Sequence, residues 1–255
     1  MIPSICKYFI FCFIILFAAV TVNAQNSFWQ SQRSAVRVNN AFFNKEELLQ
    51  KEFAEKGLQY PAKYVYLRSF KHNSELEIWV RNSPREKYKL FKTYRVCMQS
   101  GTMGPKRLQG DYQVPEGFYY INEFNPRSNY HLSLGINYPN ASDRILSDPN
   151  RPGNGIYIHG SCVSVGCVSV NDSDIEEVYL ITGNARAAGQ EFIPVHIFPI
   201  RYNDKKSVEY LDNTYRFSPT LQKFSLDLRK AYDEFEKTHQ LPVIMIDKKG
   251  EYVIN

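Results

Sequence analysis

After residue 24 the sequence lacks any apolar run long enough to span a membrane, which requires roughly 20 residues. It also lacks internal repeats and low-complexity tracts. Its basic residues are scattered rather than clustered, although the formal net charge is +5, and this pattern gives little support to nucleic-acid binding. The remaining chain, in a sequence with 15% aromatic residues, is long enough to bury one sizeable core. We therefore expect a soluble globular protein with no integral membrane segment and no nucleic-acid partner.

The N-terminus is the exception, and residues 1–24 have the pattern of a secretory signal. Lys7 supplies a short positive region, the run YFIFCFIILFAAV is apolar, and residues 22–24 (Val-Asn-Ala) offer the small residues that a signal peptidase requires. An uncleaved membrane anchor is the alternative, but the run is shorter than a membrane span. We predict a cleaved signal peptide and an exported, periplasmic protein.

Cysteine is scarce, with five in the chain. Cys6 and Cys12 lie in the predicted signal, and no lipoprotein-type Leu-x-Gly-Cys motif surrounds them. Removal of the signal leaves Cys97, Cys162 and Cys167, so at least one thiol of the exported protein lacks an intramolecular partner. An unpaired thiol outside the cytosol suggests that the thiol is used.

The rest of the chain alternates between helical and strand patterns. A helix is predicted over Asn44–Gly57, another begins at Ser173 with Glu176 in capping-box spacing, and an apolar stripe predicts a third over Leu221–Thr238. Seven strands are predicted: KYVYLRSF, ELEIWVR, YKLFKTYRVCM, GFYYI, YHLSLGI, GIYIHG and EFIPVHIFPI. The first five are expected to be successive antiparallel strands. The segment LPVIMIDKKGEYVIN is predicted to be a terminal hairpin.

The segment IYIHGSCVSVGCVSV concentrates reactive side chains at one strand end. His159 is placed where a side chain can reach into a cleft, because Gly160 ends the strand. Gly166 lets the backbone near Cys167 approach a ligand closely, and Ser164 supplies a hydroxyl. A thiol needs a base or a positive environment to become a thiolate near neutral pH, and an imidazole supplies either. The pattern suggests cysteine catalysis.

Other interpretations of the same residues stay open. Cys162 and Cys167 could form a structural disulfide, which their short spacing permits. His159 with both cysteines would give zinc three ligands, without an obvious fourth. His159 could also be a hydrogen-bonded core residue. The remaining histidines, which we interpret as structural, are His72, His131, His196 and His239, and Cys97 is expected to be a small buried hydrophobe.

At these residues the sequence resembles the L,D-transpeptidase (YkuD-type) catalytic domains, in their YafK-like branch. IHGSCVSVGC is similar to the active-site signature of the family, and GPKRLQGDYQVPEGFYYI and LSLGINYPNASDRI are similar to two further conserved stretches. Three positions depart from the family pattern. Val165 replaces a histidine of many relatives, Ser169 replaces an arginine that would orient substrate, and Val114 replaces a threonine.

The resemblance implies that Cys167 is the nucleophile and His159 its base, with Gly166 also catalytic and no metal or organic cofactor. The backbone amides of Gly166 and Cys167 would hold the oxyanion. The implied partners are peptidoglycan stem peptides, attacked at the L-centre of the diamino acid, and a wall-linked protein or an amine acceptor. The predicted substrate-binding residues are Ser164, Arg144, Gly160, Tyr138 and Ser169. Arg144 would bind a stem-peptide carboxylate, or else pair with Asp143 or Asp148.

The implied fold class is mainly β with α (α+β), a YkuD-like β-sandwich catalytic domain with flanking helices. We divide the chain into the signal at 1–24, a helical lead-in at 25–60, the catalytic domain at 61–202 and a C-terminal helix and hairpin at 203–255. A transpeptidase would transfer the acyl group to an amine, a hydrolase would use water, and a non-catalytic wall-binding module is the third alternative.

The cysteine arrangement gives one further expectation. Residues five apart on an extended segment point to opposite faces, so no Cys162–Cys167 bond is expected. Cys162 would then pack beside the site as a small hydrophobe, and all three mature cysteines would be free thiols.

Overall fold

The computed structural model describes residues 27–255, and the predicted signal peptide lies outside this range. Within the described residues, no helix is long and apolar enough to cross a membrane. The helices are α1 (Val36–Glu55), α2 (Ala141–Leu146), α3 (Asp172–Ala187), α4 (Lys205–Tyr215) and α5 (Pro219–Thr238), and residues 27–32 are also helical. The strands are β1 (Tyr64–Phe70), β2 (Glu75–Arg81), β3 (Lys89–Arg95), β4 (Gly117–Asn125), β5 (Ser133–Ile136), β6 (Tyr157–His159), β7 (Val168–Ser169), β8 (Ile193–Phe198), β9 (Ile244–Ile246) and β10 (Tyr252–Ile254).

Eight strands form one mixed sheet in the order β3-β2-β1-β8-β4-β5-β6-β7. The pairs β1–β8 and β6–β7 are parallel, and the other neighbours are antiparallel. The predicted strands are therefore present, but β3 and β4, although consecutive along the chain, are separated by three strands in the sheet. Together with the flanking helices this arrangement confirms the α+β class.

Helix α3 lies against the sheet and is covered on its other side by α1. Every residue from Ile175 to Ala185 is buried, which explains why its sequence lacks a clear polar face. The two glutamates in this stretch are compensated, since Glu177 pairs with Lys45 (3.1 Å) and Glu176 with His131 (3.0 Å). Two residues separate the end of β7 from the start of this helix, which therefore fixes the end of the segment that contains His159 and Cys167.

The C-terminal segment has an apolar cluster of its own. Phe70 and Phe198, at the ends of β1 and β8, pack with residues from α4, α5 and the hairpin, including Tyr232 and Tyr252. The hairpin of β9 and β10 turns through residues 247–250 as predicted, with Gly250 at φ +83°. This segment therefore packs on the edge where β1 and β8 end.

Several element boundaries differ from the predictions. Helix α1 begins at Val36 rather than Asn44, because Val38 and Ala41 are also buried. The cap of α3 is not Ser173 with Glu176 but Asn171, whose side chain accepts from the Asp174 amide. Helices α2 and α4 were not predicted. Both begin at side-chain caps, the first at Asn140 and the second at Asp204.

Candidate active site

His159 and Cys167 lie on neighbouring strands at one edge of the sheet. His159 ends β6, and its parallel partner on β7 is Ser169, two residues after Cys167. Side chains two residues apart on an extended segment share a face, and Ser169 Oγ lies 3.5 Å from His159 Nε2. The fold thus brings Cys167, which directly precedes β7, to the same edge of the sheet as His159.

The imidazole of His159 is held in one orientation. Its Nδ1 lies 2.6 Å from the Gly160 carbonyl, which can only accept, so Nδ1 carries the proton and Nε2 has a free lone pair. The Tyr130 ring stacks on the imidazole with 4.7 Å between centroids. Burial lowers the pKa of His159 below its usual value, and the Gly160 hydrogen bond opposes this shift only in part. At neutral pH the ring is therefore a neutral base.

Cys167 is a free, half-buried thiol. Its Sγ lies 3.9 Å from the Gly155 carbonyl. Burial raises the pKa of this thiol, while a hydrogen bond from the Tyr157 backbone and the charge of Lys106 lower it. The net direction is upward, so the resting thiol is neutral and requires a base for activation.

Lys106 is a contributor to the site that the sequence analysis did not single out. Its side chain is buried. Its ammonium group donates to the Leu108 carbonyl (2.9 Å) and forms an ion pair with Asp111. A Cβ built on Gly153 would lie 2.9 Å from Lys106 Cε, so this lysine lies beside the segment that also contains Gly155. The only sequence signal was its place in the Gly-Pro-Lys stretch.

The loop before Cys167 is organised around Ser164. The amides of Gly166 and Cys167 both donate to Ser164 Oγ at 3.1 Å, and this hydroxyl donates to the Cys167 carbonyl at 2.8 Å. The expectation that these two amides are free to hold an oxyanion is therefore wrong for this conformation, because the Ser164 hydroxyl occupies them. Gly166 has φ +130°, and a Cβ there would lie 3.3 Å from the Gln113 carbonyl, so both the backbone conformation and the close packing against Gln113 favour glycine at this position.

The other two cysteines within residues 27–255 form a disulfide. Cys97 and Cys162 are bonded with 5.4 Å between their Cα atoms. The predicted absence of a Cys162–Cys167 bond is confirmed, but the expectation that Cys97 and Cys162 are hydrophobic free thiols is wrong. Cys97 is brought to the site because its amide donates to the Ser169 carbonyl (2.9 Å), a long-range contact with no local sequence signal.

This disulfide also removes the zinc interpretation. A disulfide sulfur of Cys162 cannot act as a thiolate ligand beside His159 and Cys167. Within residues 27–255, no group of three histidine, cysteine or acidic side chains is placed to hold a metal ion.

The predicted substrate-binding residues occupy different positions. Tyr138 is buried, and its hydroxyl is directed at the Pro152 carbonyl (2.8 Å). Gly160 has no room for a side chain, since a Cβ would lie 2.5 Å from Asp172 Oδ1. Arg144 is exposed on α2 and donates to the Pro139 carbonyl (3.1 Å).

Asp143 does not pair with Arg144, as one alternative expected, but with Arg107 at 2.8 Å. Ser169 is fully buried against His159, and its hydroxyl donates to the Val163 carbonyl. Of the predicted substrate-binding residues, Ser164 contacts the Cys167 backbone and Ser169 contacts the His159 ring.

The four other histidines have structural partners. Tyr66 and His196 are hydrogen-bonded (2.9 Å) in the core, where burial lowers the pKa of His196 to about 3. His131 pairs with a glutamate of α3, His72 stacks on Tyr210, and His239 caps α5. These contacts agree with the structural interpretation.

A half-buried free thiol and a neutral, oriented imidazole thus lie on adjoining segments at one edge of the sheet, and groups of these two kinds are what thiol-dependent acyl transfer requires. The model of the YkuD family, the L,D-transpeptidase catalytic domain, matches residues 74–197. The chain is 33% identical over 193 residues to "Putative L,D-transpeptidase YafK" of Escherichia coli K12, covering 75% of this chain and 74% of that protein. The protein of the same name from E. coli O157:H7 gives the same values.

The chain therefore belongs to the L,D-transpeptidase (YkuD) catalytic domain family. Among solved structures, the helical cell shape determining protein Pgp2 from Campylobacter jejuni is 18% identical, with a TM-score of 0.43 over 78% of this chain and 80% of that chain.

Proposed function

We propose that this protein is an exported cysteine enzyme that acts on peptidoglycan stem peptides at the L-centre of the diamino acid, through a thioester on Cys167. One observation carries the proposal. Of the three cysteines within residues 27–255, Cys97 and Cys162 are consumed by their disulfide, and the remaining free thiol, Cys167, directly precedes the strand that pairs with the strand of His159.

The electrostatics favour general-base activation over a preformed ion pair. Burial raises the pKa of Cys167 and lowers that of His159, so both groups are neutral at rest. The base is Nε2, because Nδ1 is committed to the Gly160 carbonyl. Nε2 takes the proton of Sγ as sulfur attacks the substrate carbonyl, and Lys106 favours the negative charge that develops at the site.

The remaining steps follow from the same two groups. The C–N bond of the tetrahedral intermediate breaks, and the leaving amine takes the proton from the His159 imidazolium. The acyl group stays on Cys167 as a thioester. An amine or a water molecule then attacks this thioester, His159 accepts its proton, and the thiol is regenerated.

The acceptor separates two candidate activities. An amine acceptor gives a transpeptidase, whereas water gives an L,D-amidase or carboxypeptidase that removes a stem-peptide-linked protein or a terminal D-amino acid. The hydrolase is the second candidate because Ser169 stands where many relatives have an arginine and is fully buried against His159. The site thus lacks the charge at this position that would orient a substrate. A wall-binding module without activity ranks last, since nucleophile and base are both present.

Export is supported by the Cys97–Cys162 bond as well as by the N-terminal pattern. Disulfides persist in oxidising compartments such as the periplasm and are rare in the cytosol. Cell fractionation tests this part of the proposal directly: the mature protein, shortened by the signal peptide, is expected in the periplasmic fraction.

The activity test uses the mature protein and a disaccharide-tetrapeptide, alone and with an added amine donor, with products read by mass spectrometry. Cys167→Ala is expected to abolish every product and the thioester adduct. The matched control, Cys162→Ala, keeps the nucleophile and is expected to weaken turnover without abolishing it. Full activity in Cys167→Ala would reject the assignment of the nucleophile, and an amine-linked product would select the transpeptidase.

A further inference from the structure

Lys71 is a buried lysine that the proposed mechanism does not use. It directly follows β1, and its side chain is 2% exposed. Its ammonium group forms an ion pair with Glu116 at 3.0 Å, and the Glu116 side chain is fully buried. A buried ion pair is a costly feature of a core unless it has further partners, so the other contacts of Lys71 indicate what it does.

The side-chain contacts of Lys71 all lie in the loop at residues 102–116. Lys71 Nζ donates to the carbonyls of Thr102 (2.7 Å), Gly104 (3.0 Å) and Val114 (2.9 Å). Glu116 Oε1 accepts from the Gly104 amide at 2.6 Å. One ammonium group thus binds backbone carbonyls near both ends of the loop and holds them at the end of β1.

The same loop also packs against the turn that precedes Cys167. The Gln113 carbonyl lies against Gly166, at 3.3 Å from the position of a Cβ. Ser100, just before the loop, donates to the Tyr112 carbonyl (2.7 Å), and its hydroxyl lies 3.4 Å from that of Ser164. Lys106, the cation beside Cys167, belongs to the loop as well. Any displacement of this loop therefore moves the surroundings of Cys167.

We propose that Lys71 is a positioning residue for Cys167: with Glu116 it fixes the loop at 102–116 and thereby the nucleophile turn at Gly166. The inference rests on the proposed function for the role of Cys167 in turnover. It predicts that loss of the Lys71 contacts leaves the sheet intact but loosens the wall behind the thiol. Cys167 then becomes more accessible and, at the same time, less competent.

The test compares two matched variants on β1 or next to it. Lys71→Met/Glu116→Gln removes the ion pair without leaving a buried charge, and the glutamine keeps an acceptor for the Gly104 amide. The control is Arg68→Met, since Arg68 is equally buried and pairs with Glu77, yet has no contact with the loop. In that control Glu77 keeps Arg201 (2.5 Å) as its partner. Circular dichroism and thermal melting confirm that each variant is folded.

For the double variant we expect two changes in opposite directions, a faster alkylation of Cys167 and a lower kcat. Without reductant Cys167 is the free cysteine, so iodoacetamide reports on its surroundings independently of any substrate. Alkylation is expected to become faster by about threefold or more, because a less buried thiol ionises more readily. The kcat on the disaccharide-tetrapeptide is expected to fall by about tenfold or more, as misplacement of reacting groups does. A purely structural role would lower the melting temperature without producing this pair of changes.

Alkylation and kcat equal to those of Arg68→Met would overturn the inference. Should the double variant not fold, Lys71→Arg decides, because it keeps the charge but cannot place one nitrogen against three carbonyls. It is expected to show the same two changes at smaller size, and wild-type values for both would again overturn the inference. If the wild-type protein does not process the muropeptide, the proposed function fails, while the alkylation comparison still tests the role of Lys71.

Discussion

Cys97 and Cys162 join two distant segments at the candidate site, with a sequence separation of 65 and 5.4 Å between their Cα atoms. Cys97 follows β3, and Cys162 lies in the loop between His159 and Cys167. The bond therefore ties the nucleophile loop to a segment that also donates to the Ser169 carbonyl. Substitution of either cysteine therefore removes a covalent restraint on the loop between His159 and Cys167.

The first prediction is the thiol count of the mature protein. Purified without reductant and then denatured, it is expected to contain one free thiol, and three after reduction. Mass spectrometry after alkylation should locate the single label on Cys167. Cys167→Ala should contain none before reduction. A count of three in the unreduced protein would show that the Cys97–Cys162 bond does not form.

The second prediction concerns the stability that this bond supplies. A cross-link that closes a loop of this length restricts the unfolded chain, and its loss is expected to cost about 4 kcal/mol of the free energy of unfolding. Cys97→Ser, Cys162→Ser and the double variant should be destabilised equally in urea titrations, because each removes the same bond. Reduced wild-type protein is the control and should match them. Unequal effects of the two single variants would mean that one cysteine contributes mainly by packing.

Sequence reasoning located His159 and Cys167 because their signals are local. A glycine ends the strand of His159, and another precedes Cys167, so the positions of both could be predicted from neighbouring residues. The disulfide could not be predicted in this way. Its partner, Cys97, lies in a segment that has only the pattern of a buried strand, and three cysteines allow three pairings that spacing alone cannot rank.

The details of the nucleophile loop were missed for a related reason. The free amides expected at Gly166 and Cys167 depend on where the Ser164 hydroxyl points, and this is set by the conformation of the whole loop. The sheet was predictable strand by strand, since alternation and aromatic content are local. The separation of β3 from β4 depends on pairings with β8, which lies about seventy residues further on.

The third prediction concerns Ser169, which contacts the base and stands at a departure from the family pattern. Its hydroxyl donates to the Val163 carbonyl and lies 3.5 Å from His159 Nε2. Ser169→Ala removes both interactions, and kcat is expected to fall by about 3- to 10-fold, the equivalent of one ordinary hydrogen bond. Ser173→Ala, at an exposed serine in the first turn of α3, is the control and should retain wild-type kcat. An unchanged kcat in Ser169→Ala would show that the hydroxyl does not orient the imidazole.

The last prediction is the pH dependence of the two proposed catalytic groups, His159 and Cys167. His159 must be neutral to act as a base, and burial lowers its pKa, so activity should persist to lower pH than an exposed histidine allows. The acid limb of kcat/KM is expected to have its midpoint below about 6.5, the usual pKa of histidine.

For Cys167 the pKa shift is upward, so in His159→Ala the rate of iodoacetamide alkylation should rise only at a pH above about 8.5, the usual pKa of cysteine. Wild-type protein should react faster near neutral pH, because the imidazole takes the thiol proton. His72→Ala is the control, as that exposed histidine stacks on Tyr210 away from His159, and it should keep the wild-type profile. The same alkylation profile in wild type and His159→Ala would mean that the imidazole does not activate the thiol.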